Sequence, residues 1–125
     1  MQNIPRILYV DDHEDTRFMI KFWLAQFNYE VETAASLALG LTMAQKGSFD
    51  LFVFDSIFPD GTGAELCKQI RAFDRLTPII FYSGDTPERL RSAVECGAQG
   101  SVMKPELDGL RKAIFRVINS SRTVA

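Results

Sequence analysis

Short apolar runs, each followed by polar residues, recur along the chain and predict strands. The clearest runs are Ile7–Val10, Leu51–Phe54 and Ile79–Tyr82, which consist of β-branched, aromatic and leucine residues. Two weaker strands fit the gaps between these runs, at Glu30–Ala34 and Ser101–Lys104. Continuous rather than alternating apolarity is typical of strands that are buried on both faces, as in a parallel sheet covered by helices.

Segments with helical periodicity separate these strands. In each segment apolar residues recur every three or four positions, which predicts a helix with one buried face. The five stripes are Ile20, Trp23, Leu24 and Phe27; Leu37, Leu41 and Ala44; Leu66, Ile70 and Phe73; Leu90, Ala93 and Val94; and Leu110, Ile114, Val117 and Ile118.

Residues typical of helix starts and ends support the same alternation. The predicted starts are Asp15 or Thr16, Ser36, and Thr86 with Pro87; the predicted ends are Gly47 and Gly97. Strand and helix therefore alternate five times, with connections short enough for right-handed crossovers. This pattern predicts an α/β doubly wound domain with a five-stranded parallel sheet.

Composition and charge indicate one ordinary globular domain. The chain has 125 residues, of which 46% are hydrophobic and 24% charged, and these values exclude a disordered or coiled-coil chain. We expect one domain over residues 1–125, with residues 120–125 as a frayed tail or the start of a linker. The net charge of −2 argues against electrostatically driven binding of nucleic acid.

The sequence also argues against membrane insertion and export. No apolar run approaches the length needed to cross a bilayer, and an acidic pair interrupts the first apolar stretch, unlike in a signal peptide. Cys67 and Cys96 have neither the spacing of a metal site nor that of a disulfide framework, so we expect free thiols. These features predict a cytoplasmic chain.

Polar side chains end the apolar runs and bring candidate chemistry to one edge of the sheet. Asp11 and Asp12 follow the first run, Asp55 and Ser83 follow two others, and Lys104 closes the last. Ligands of open parallel sheets bind at the carboxyl ends of the strands. Carboxylates packed together repel one another unless a cation intervenes, and Mg²⁺ is a cation that takes oxygen ligands. Together, these side chains and a cation are suited to hold a phosphoryl group that a carboxylate has accepted.

These landmarks resemble those of a known family. The order Asp11-Asp12, then LFVFDSIFPDGTG, then Ser83-Gly84 and Lys104-Pro105 resembles the receiver domain of two-component response regulators, of the single-domain, chemotaxis-regulator kind. The resemblance covers essentially the whole chain. It implies a flavodoxin-like (βα)5 fold with strand order 2-1-3-4-5, and a phosphoryl group accepted from a histidine onto an aspartate.

The resemblance implies a role for each landmark. Asp55 would be the phosphoacceptor, and its carboxylate would attack phosphorus in line. Mg²⁺ would be held by Asp12 directly, by Asp11 through water, by Asp55, and by the backbone carbonyl of Ile57. The remaining two landmarks, Ser83 and Lys104, would each bind a phosphoryl oxygen. Such a domain is a phosphoacceptor that removes its own phosphate slowly, rather than an enzyme.

Partners are also implied by the resemblance. They are a sensor histidine kinase or a histidine phosphotransfer protein, and a downstream protein target that contacts the fourth and fifth helices. Homodimers through the fourth helix, fifth strand and fifth helix are a further arrangement that the resemblance allows. Direct binding of nucleic acid is not expected. Arg111, Lys112 and Arg116 form a basic patch suited to an acidic partner, and exposed members of Phe18, Phe22 and Trp23 would form a partner surface.

Some positions bear on the expected mechanism, and others near the site are expected to have no chemical role. Ser101 stands where most such domains carry an aromatic residue, which leaves the usual coupling between hydroxyl and aromatic side chain in doubt. Ile57 would hinder a hydrolytic water, whereas Asp85 would orient one, and the sequence does not decide between them. His13 is expected to be exposed and without a role, and the loop of Pro59, Gly61 and Gly63 is read as turn chemistry.

Two other functions fit parts of the sequence. The first is a hydrolase of the aspartyl-phosphate kind, but such enzymes carry a second aspartate two residues beyond the nucleophile, where this chain has Ile57. The second is an interaction scaffold that keeps the fold and does not use phosphorylation. A scaffold would be expected to have lost site residues, and none of Asp12, Asp55, Ser83 or Lys104 is lost.

Overall fold

A five-stranded parallel sheet forms the centre of the molecule. The computed structural model describes residues 4–85, 90–91 and 95–123. The strands are β1 (Arg6–Val10), β2 (Glu30–Ala34), β3 (Leu51–Phe54), β4 (Ile57–Phe58), β5 (Gly61–Thr62), β6 (Ile79–Ser83) and β7 (Gly100–Met103). The helices whose two ends lie within the described residues are α1 (Glu14–Ala25), α2 (Leu37–Lys46), α3 (Gly63–Arg71) and α4 (Leu107–Thr123). The sheet order is β2-β1-β3-β6-β7, with β4 and β5 as a separate antiparallel pair.

The observed architecture confirms the predicted fold. All neighbouring strands of the main sheet are parallel. When the short β4–β5 pair is set aside, the sheet order corresponds to 2-1-3-4-5. The sequence did not predict that pair, which follows β3 and consists of two residues on each side. Helix α4 continues past residue 120 to Thr123, and the domain boundary at residue 120 stays a prediction.

Hydrophobic side chains cover both faces of the sheet, as continuous apolar strands require. Alternate residues of the central strands point to opposite faces. One face packs on α2 and α3, and its core includes Leu8, Val10, Phe52, Phe54, Ile79, Phe81, Leu37, Leu66 and Ile70. The other packs on α1 and α4, and its core includes Ile7, Tyr9, Leu51, Val53, Ile80, Tyr82, Ile20, Leu24, Leu110 and Ile114.

The helix boundaries confirm some sequence signals and correct others. Ser36 caps α2, since its side chain accepts a hydrogen bond from the Leu39 amide at 3.2 Å, and Gly47 ends that helix. The predicted start at Asp15 or Thr16 was wrong, because α1 begins at Glu14 after His13, which makes no side-chain capping bond. The helix dipole stabilises acidic residues near a helix N-terminus. Glu14 and Asp15 therefore lie in the first turn of α1 without capping it.

Two residues of the predicted helical stripes lie outside their helices. Phe27 follows the end of α1 and Phe73 follows the end of α3, and they are 41% and 47% exposed. The predicted start at Thr86 and Pro87, together with Ala93 and Val94, lies outside the described residues. Within the described part of the chain, no helix has the length and apolarity needed to cross a membrane.

The short β4–β5 hairpin brings the start of α3 against the end of β3. Thr62 caps α3 in a reciprocal arrangement with Glu65, in which each side chain accepts a hydrogen bond from the other residue's backbone amide. The Gly63 amide donates to the carbonyl oxygen of Ser56 at 2.9 Å. The loop of Pro59, Gly61 and Gly63, which the sequence predicted to be a turn, therefore joins β3 to α3.

Gly63→Ala is expected to lower the free energy of unfolding by about 3 kcal/mol, at the upper end of the usual cost of overpacking. A β-carbon at this position would overlap the carbonyl oxygen of Asp55 and lie 2.8 Å from Phe81 Cε1. Urea denaturation measures the change.

Gly109→Ala is the matched control, since a β-carbon there meets its nearest neighbour at an ordinary 3.5 Å. In the helix it should gain about 1 kcal/mol from helix propensity. Equal effects of the two substitutions would contradict the close approach at Gly63.

Candidate functional site

Three charged side chains project from backbone that is tied to the ends of neighbouring strands. The amide of Asp11 donates to the carbonyl of Ala34 at 3.1 Å, and the amide of Asp55 donates to the carbonyl of Val10 at 3.0 Å. The Lys104 amide likewise donates to the Ser83 carbonyl at 2.8 Å. Each bond continues a parallel ladder one residue beyond its strand. The sheet register therefore sets the relative positions of these side chains.

Asp11 is a fully buried carboxylate that accepts several hydrogen bonds. Its Oδ2 accepts from the Tyr9 hydroxyl and from Lys104 Nζ, each at 2.7 Å, and its Oδ1 accepts from the His13 amide at 3.0 Å. Burial alone would raise the pKa of Asp11, but the bonds from Lys104, His13 and Tyr9 together hold it below its usual value. Asp11 is therefore the ionised carboxylate on which the Lys104 ammonium is anchored.

Asp55 lies beside the same ammonium in a less complete environment. Its Oδ2 is 3.4 Å from Lys104 Nζ, and its Oδ1 accepts a hydrogen bond from the Ser56 amide at 2.8 Å. Burial raises the pKa of Asp55 above its usual value, although the Lys104 charge and the Ser56 amide oppose the change. Of the two carboxylates, Asp55 is thus the one whose charge the protein balances less fully.

Asp12 provides an oxygen that has no hydrogen bond of its own. Its Oδ1 is buried and makes no hydrogen bond, although the His13 ring nitrogen Nδ1 lies 3.3 Å away. Ligand atoms of Asp11, Asp12, His13 and Asp55 all lie within 4.8 Å of one another. Three carboxylates with one unsatisfied oxygen are the donor set that a hard divalent cation such as Mg²⁺ prefers. The residues therefore fit such an ion.

A cleft of about 500 Å³ opens over these carboxylates. Its walls are formed by Asp12, His13, Asp55, Ser56, Ile57, Phe58, Pro59, Ser83, Gly84 and Asp85. The Ile57 side chain is 54% exposed there, whereas Ser83 is only 2% exposed. The cleft therefore gives a ligand access to the carboxylates from solvent.

The structure brings together all the residues that the sequence placed at the strand ends. Asp11, Asp12 and Asp55 form one cluster, Lys104 joins two of them, and Ser83 lines the same cleft. The peptide bond between Lys104 and Pro105 is cis. Their chemical roles, and that of the Ile57 carbonyl, stay predictions.

Three contributing residues were not foreseen from the sequence. The Tyr9 hydroxyl was hidden in an apolar run, although its position two residues before Asp11 puts both on the same side of the pleat. His13 is exposed as expected, but its Nδ1 lies 3.0 Å from Asp11 Oδ1. The hydrogen bond to Asp11, followed by the charges of Asp12 and Asp11, raises the pKa of His13. Ser56, directly after Asp55, carried no recognisable signal.

Comparison with known families agrees with this geometry. A family model described as "Response regulator receiver domain" matches residues 7–115. The chain belongs to this family. As a receiver domain of two-component response regulators, it carries its acidic cluster at the carboxyl end of the sheet.

Related proteins differ in how much of their length this receiver domain covers. The nisin biosynthesis regulatory protein NisR of Lactococcus lactis is 36% identical over 103 residues, which are 82% of this chain and 44% of that protein. The two-component response regulator ORR8 of Oryza sativa is 30% identical over 105 residues, 81% of this chain and 87% of that protein. The chain spans about half the length of the bacterial regulators that resemble it.

Two solved structures share the fold over nearly their full length. The chemotaxis response regulator CheY4 of Vibrio cholerae has a TM-score of 0.86 at 34% identity, covering 92% of this chain and 99% of that chain. TrrA of Thermotoga maritima, solved in complex with Mg²⁺ and BeF, has a TM-score of 0.83 at 28% identity, covering 90% and 98%.

Without divalent cations, Asp55→Asn is expected to stabilise the receiver domain at neutral pH. Because the pKa of Asp55 is raised on folding, its ionised form costs stability above the folded pKa, and the cost disappears below the unfolded pKa. Urea unfolding between about pH 8 and about pH 3 should show a gain that shrinks in acid. A gain that is the same at every pH would contradict this origin.

Asp11→Asn is expected to destabilise the receiver domain at neutral pH, which is the opposite of the effect expected for Asp55→Asn. The pKa of Asp11 is lowered on folding, so its charge contributes stability above the unfolded pKa that is lost as the pH falls through the folded pKa. Breaking the buried pair with Lys104 should cost about 3 kcal/mol at neutral pH, and less in acid. The same urea series measures it, and a variant as stable as the wild type at neutral pH would show that the pair is not stabilising.

Proposed function

We propose that this receiver domain accepts a phosphoryl group on Asp55, with Mg²⁺, from a phosphorylated histidine of a kinase or phosphotransfer protein. The carboxylate of Asp55 lines an open cleft, 3.4 Å from a lysine ammonium and beside the unsatisfied oxygen of Asp12. This is the observation that carries the proposal, because a carboxylate nucleophile, a positive charge and a cation site are the parts that phosphoryl transfer needs.

The chemical step joins an oxygen of Asp55 to phosphorus. As this bond forms, the bond between phosphorus and the histidine nitrogen breaks, and the imidazole leaves with the electron pair. The product is a mixed anhydride of phosphate and a carboxylic acid. The Asp55 carboxylate lines the open cleft, which leaves its oxygen accessible to the incoming phosphoryl group.

The other residues hold charge during transfer. Lys104, anchored on Asp11 at 2.7 Å, would pair with a phosphoryl oxygen, and Ser83 would donate a hydrogen bond to another. Asp11, Asp12 and Asp55 would hold Mg²⁺, together with the Ile57 carbonyl. When bound, the ion supplies positive charge to the equatorial phosphoryl oxygens.

Output is proposed to occur through protein contacts. Phe18 and Phe22 are 74% and 63% exposed on α1, which fits the partner surface expected from the sequence, while Trp23 is half-buried in the core. The basic patch on α4 is partly neutralised, since Arg111 and Lys112 each lie within 3.4 Å of a carboxylate oxygen of Asp108. The exposed side chains of Phe18 and Phe22 are therefore the stronger candidate for contact with a partner.

Incubation with acetyl phosphate and Mg²⁺ is expected to add the mass of one phosphoryl group, as measured by intact-protein mass spectrometry. Acetyl phosphate supplies the phosphoryl group without a partner protein. Asp55→Asn should abolish the gain in mass because it removes the nucleophile. Lys104→Met should slow the gain because it removes the positive charge beside Asp55.

Asp60→Asn, on the exposed loop between β4 and β5, is the matched control and should gain the same mass as the wild type. Addition of EDTA should prevent the gain. No gain in the wild type, or a gain that survives Asp55→Asn, would overturn the proposal.

Ile57→Asn is expected to shorten the lifetime of the phosphorylated form severalfold. The Ile57 side chain forms part of the cleft wall, where an apolar group excludes water. The Asp85 carboxylate faces the Ser56 hydroxyl at 3.5 Å, which competes with a water molecule for it. We therefore expect Ile57 to affect the lifetime more by excluding water than Asp85 does by orienting it. The decay of the phosphorylated mass after removal of acetyl phosphate measures the lifetime.

Leu39→Asn makes the same chemical change at an exposed position of α2 and should leave the lifetime unaltered. An unchanged lifetime in Ile57→Asn would show that the side chain does not limit access of water.

A further inference from the structure

The residue after the proposed acceptor contacts the hydroxyl that is proposed to bind the phosphoryl group. Ser56 Oγ lies 2.6 Å from Ser83 Oγ, although Ser56 lies in the loop between β3 and β4 and Ser83 is the last residue of β6. The backbone of Ser56 is held on both sides, since its amide donates to Asp55 Oδ1 at 2.8 Å and its carbonyl accepts from the Gly63 amide at 2.9 Å. This backbone fixes the Ser56 hydroxyl against Ser83.

The surrounding hydrogen bonds indicate which hydroxyl donates. A serine hydroxyl has one proton and two lone pairs. Ser83 Oγ accepts a hydrogen bond from the Asp85 amide at 3.0 Å, and Asp85 Oδ2 lies 3.5 Å from Ser56 Oγ as an acceptor for the Ser56 proton. We assign the Ser56 proton to Asp85, which leaves the single proton of Ser83 for the 2.6 Å contact with Ser56.

We propose that Ser56 is a positioning residue that competes with a phosphoryl oxygen for the Ser83 proton. This inference rests on the proposed function. Before phosphorylation the Ser83 hydroxyl donates to Ser56. After phosphorylation it exchanges that acceptor for a phosphoryl oxygen, so that the Ser56–Ser83 bond must break. Ser56 therefore stabilises the unphosphorylated state relative to the phosphorylated one.

The test is the affinity of the receiver domain for beryllofluoride with Mg²⁺, measured by isothermal titration calorimetry. Ser56→Ala removes the competing acceptor and should tighten binding about two- to tenfold, the range expected for one neutral hydrogen bond. Ser56→Thr keeps the hydroxyl and should bind with nearly wild-type affinity. Thermal unfolding of each variant shows whether it is folded.

A double-mutant cycle separates this role from a general effect on the cleft. In a Ser83→Ala background no proton is contested, so that adding Ser56→Ala should leave the affinity unchanged. An unchanged or weaker affinity of Ser56→Ala alone would overturn the inference. So would an equal gain in the Ser83→Ala background, because Ser56 would then act on something other than Ser83.

The outcomes also separate this inference from the proposed function. If the wild type gains a phosphoryl group from acetyl phosphate and binds beryllofluoride, but Ser56→Ala binds no more tightly, only the inference fails. If the folded wild type neither gains the group nor binds beryllofluoride, the proposed function fails and the inference with it.

Discussion

The candidate site depends on the ion pairs that the ammonium group of Lys104 makes with two carboxylates. It lies 2.7 Å from one carboxylate oxygen of Asp11 and 3.4 Å from one of Asp55, so that one positive charge compensates two buried negative charges. With Asp12 nearby, the cluster still carries more negative than positive charge. This excess of negative charge explains why the site fits a divalent cation, whereas the raised pKa of Asp55 comes mainly from its burial.

Ordinary features of the fold set the positions of the charged groups in the site. The central strands are buried on both faces, and the parallel ladders continue one residue beyond the strands to hold Asp11, Asp55 and Lys104. On the opposite side of Asp55, the absence of a side chain at Gly63 lets α3 begin against the backbone carbonyl of Asp55. The charged groups are thus held by backbone contacts rather than by one another alone.

The sequence predicted the fold and the main members of the site because each depends on a local pattern. Buried strands are continuous apolar runs, and a polar residue that ends such a run lies at the sheet edge, which located Asp55. His13 and Ser56 were missed because their contributions depend on side-chain directions that no spacing encodes. Tyr9 was missed because it lies within an apolar run, although its spacing from Asp11 places both on the same side of the strand. The start of α1 was misplaced because an acidic residue near a helix N-terminus can be a cap or can lie in the first turn, where the helix dipole also favours it. Asp15 lies in the first turn.

The hydrogen bond between Lys104 and Asp11 joins residues 93 positions apart in the chain. Lys104 directly follows β7, which pairs with β6 at the outer edge of the sheet, whereas Asp11 and Asp55 follow central strands. The cation between the two carboxylates is therefore supplied from the edge of the sheet, by a residue far along the chain from both of them. A change in the pairing of this one edge strand would move the cation while leaving the two carboxylates in place.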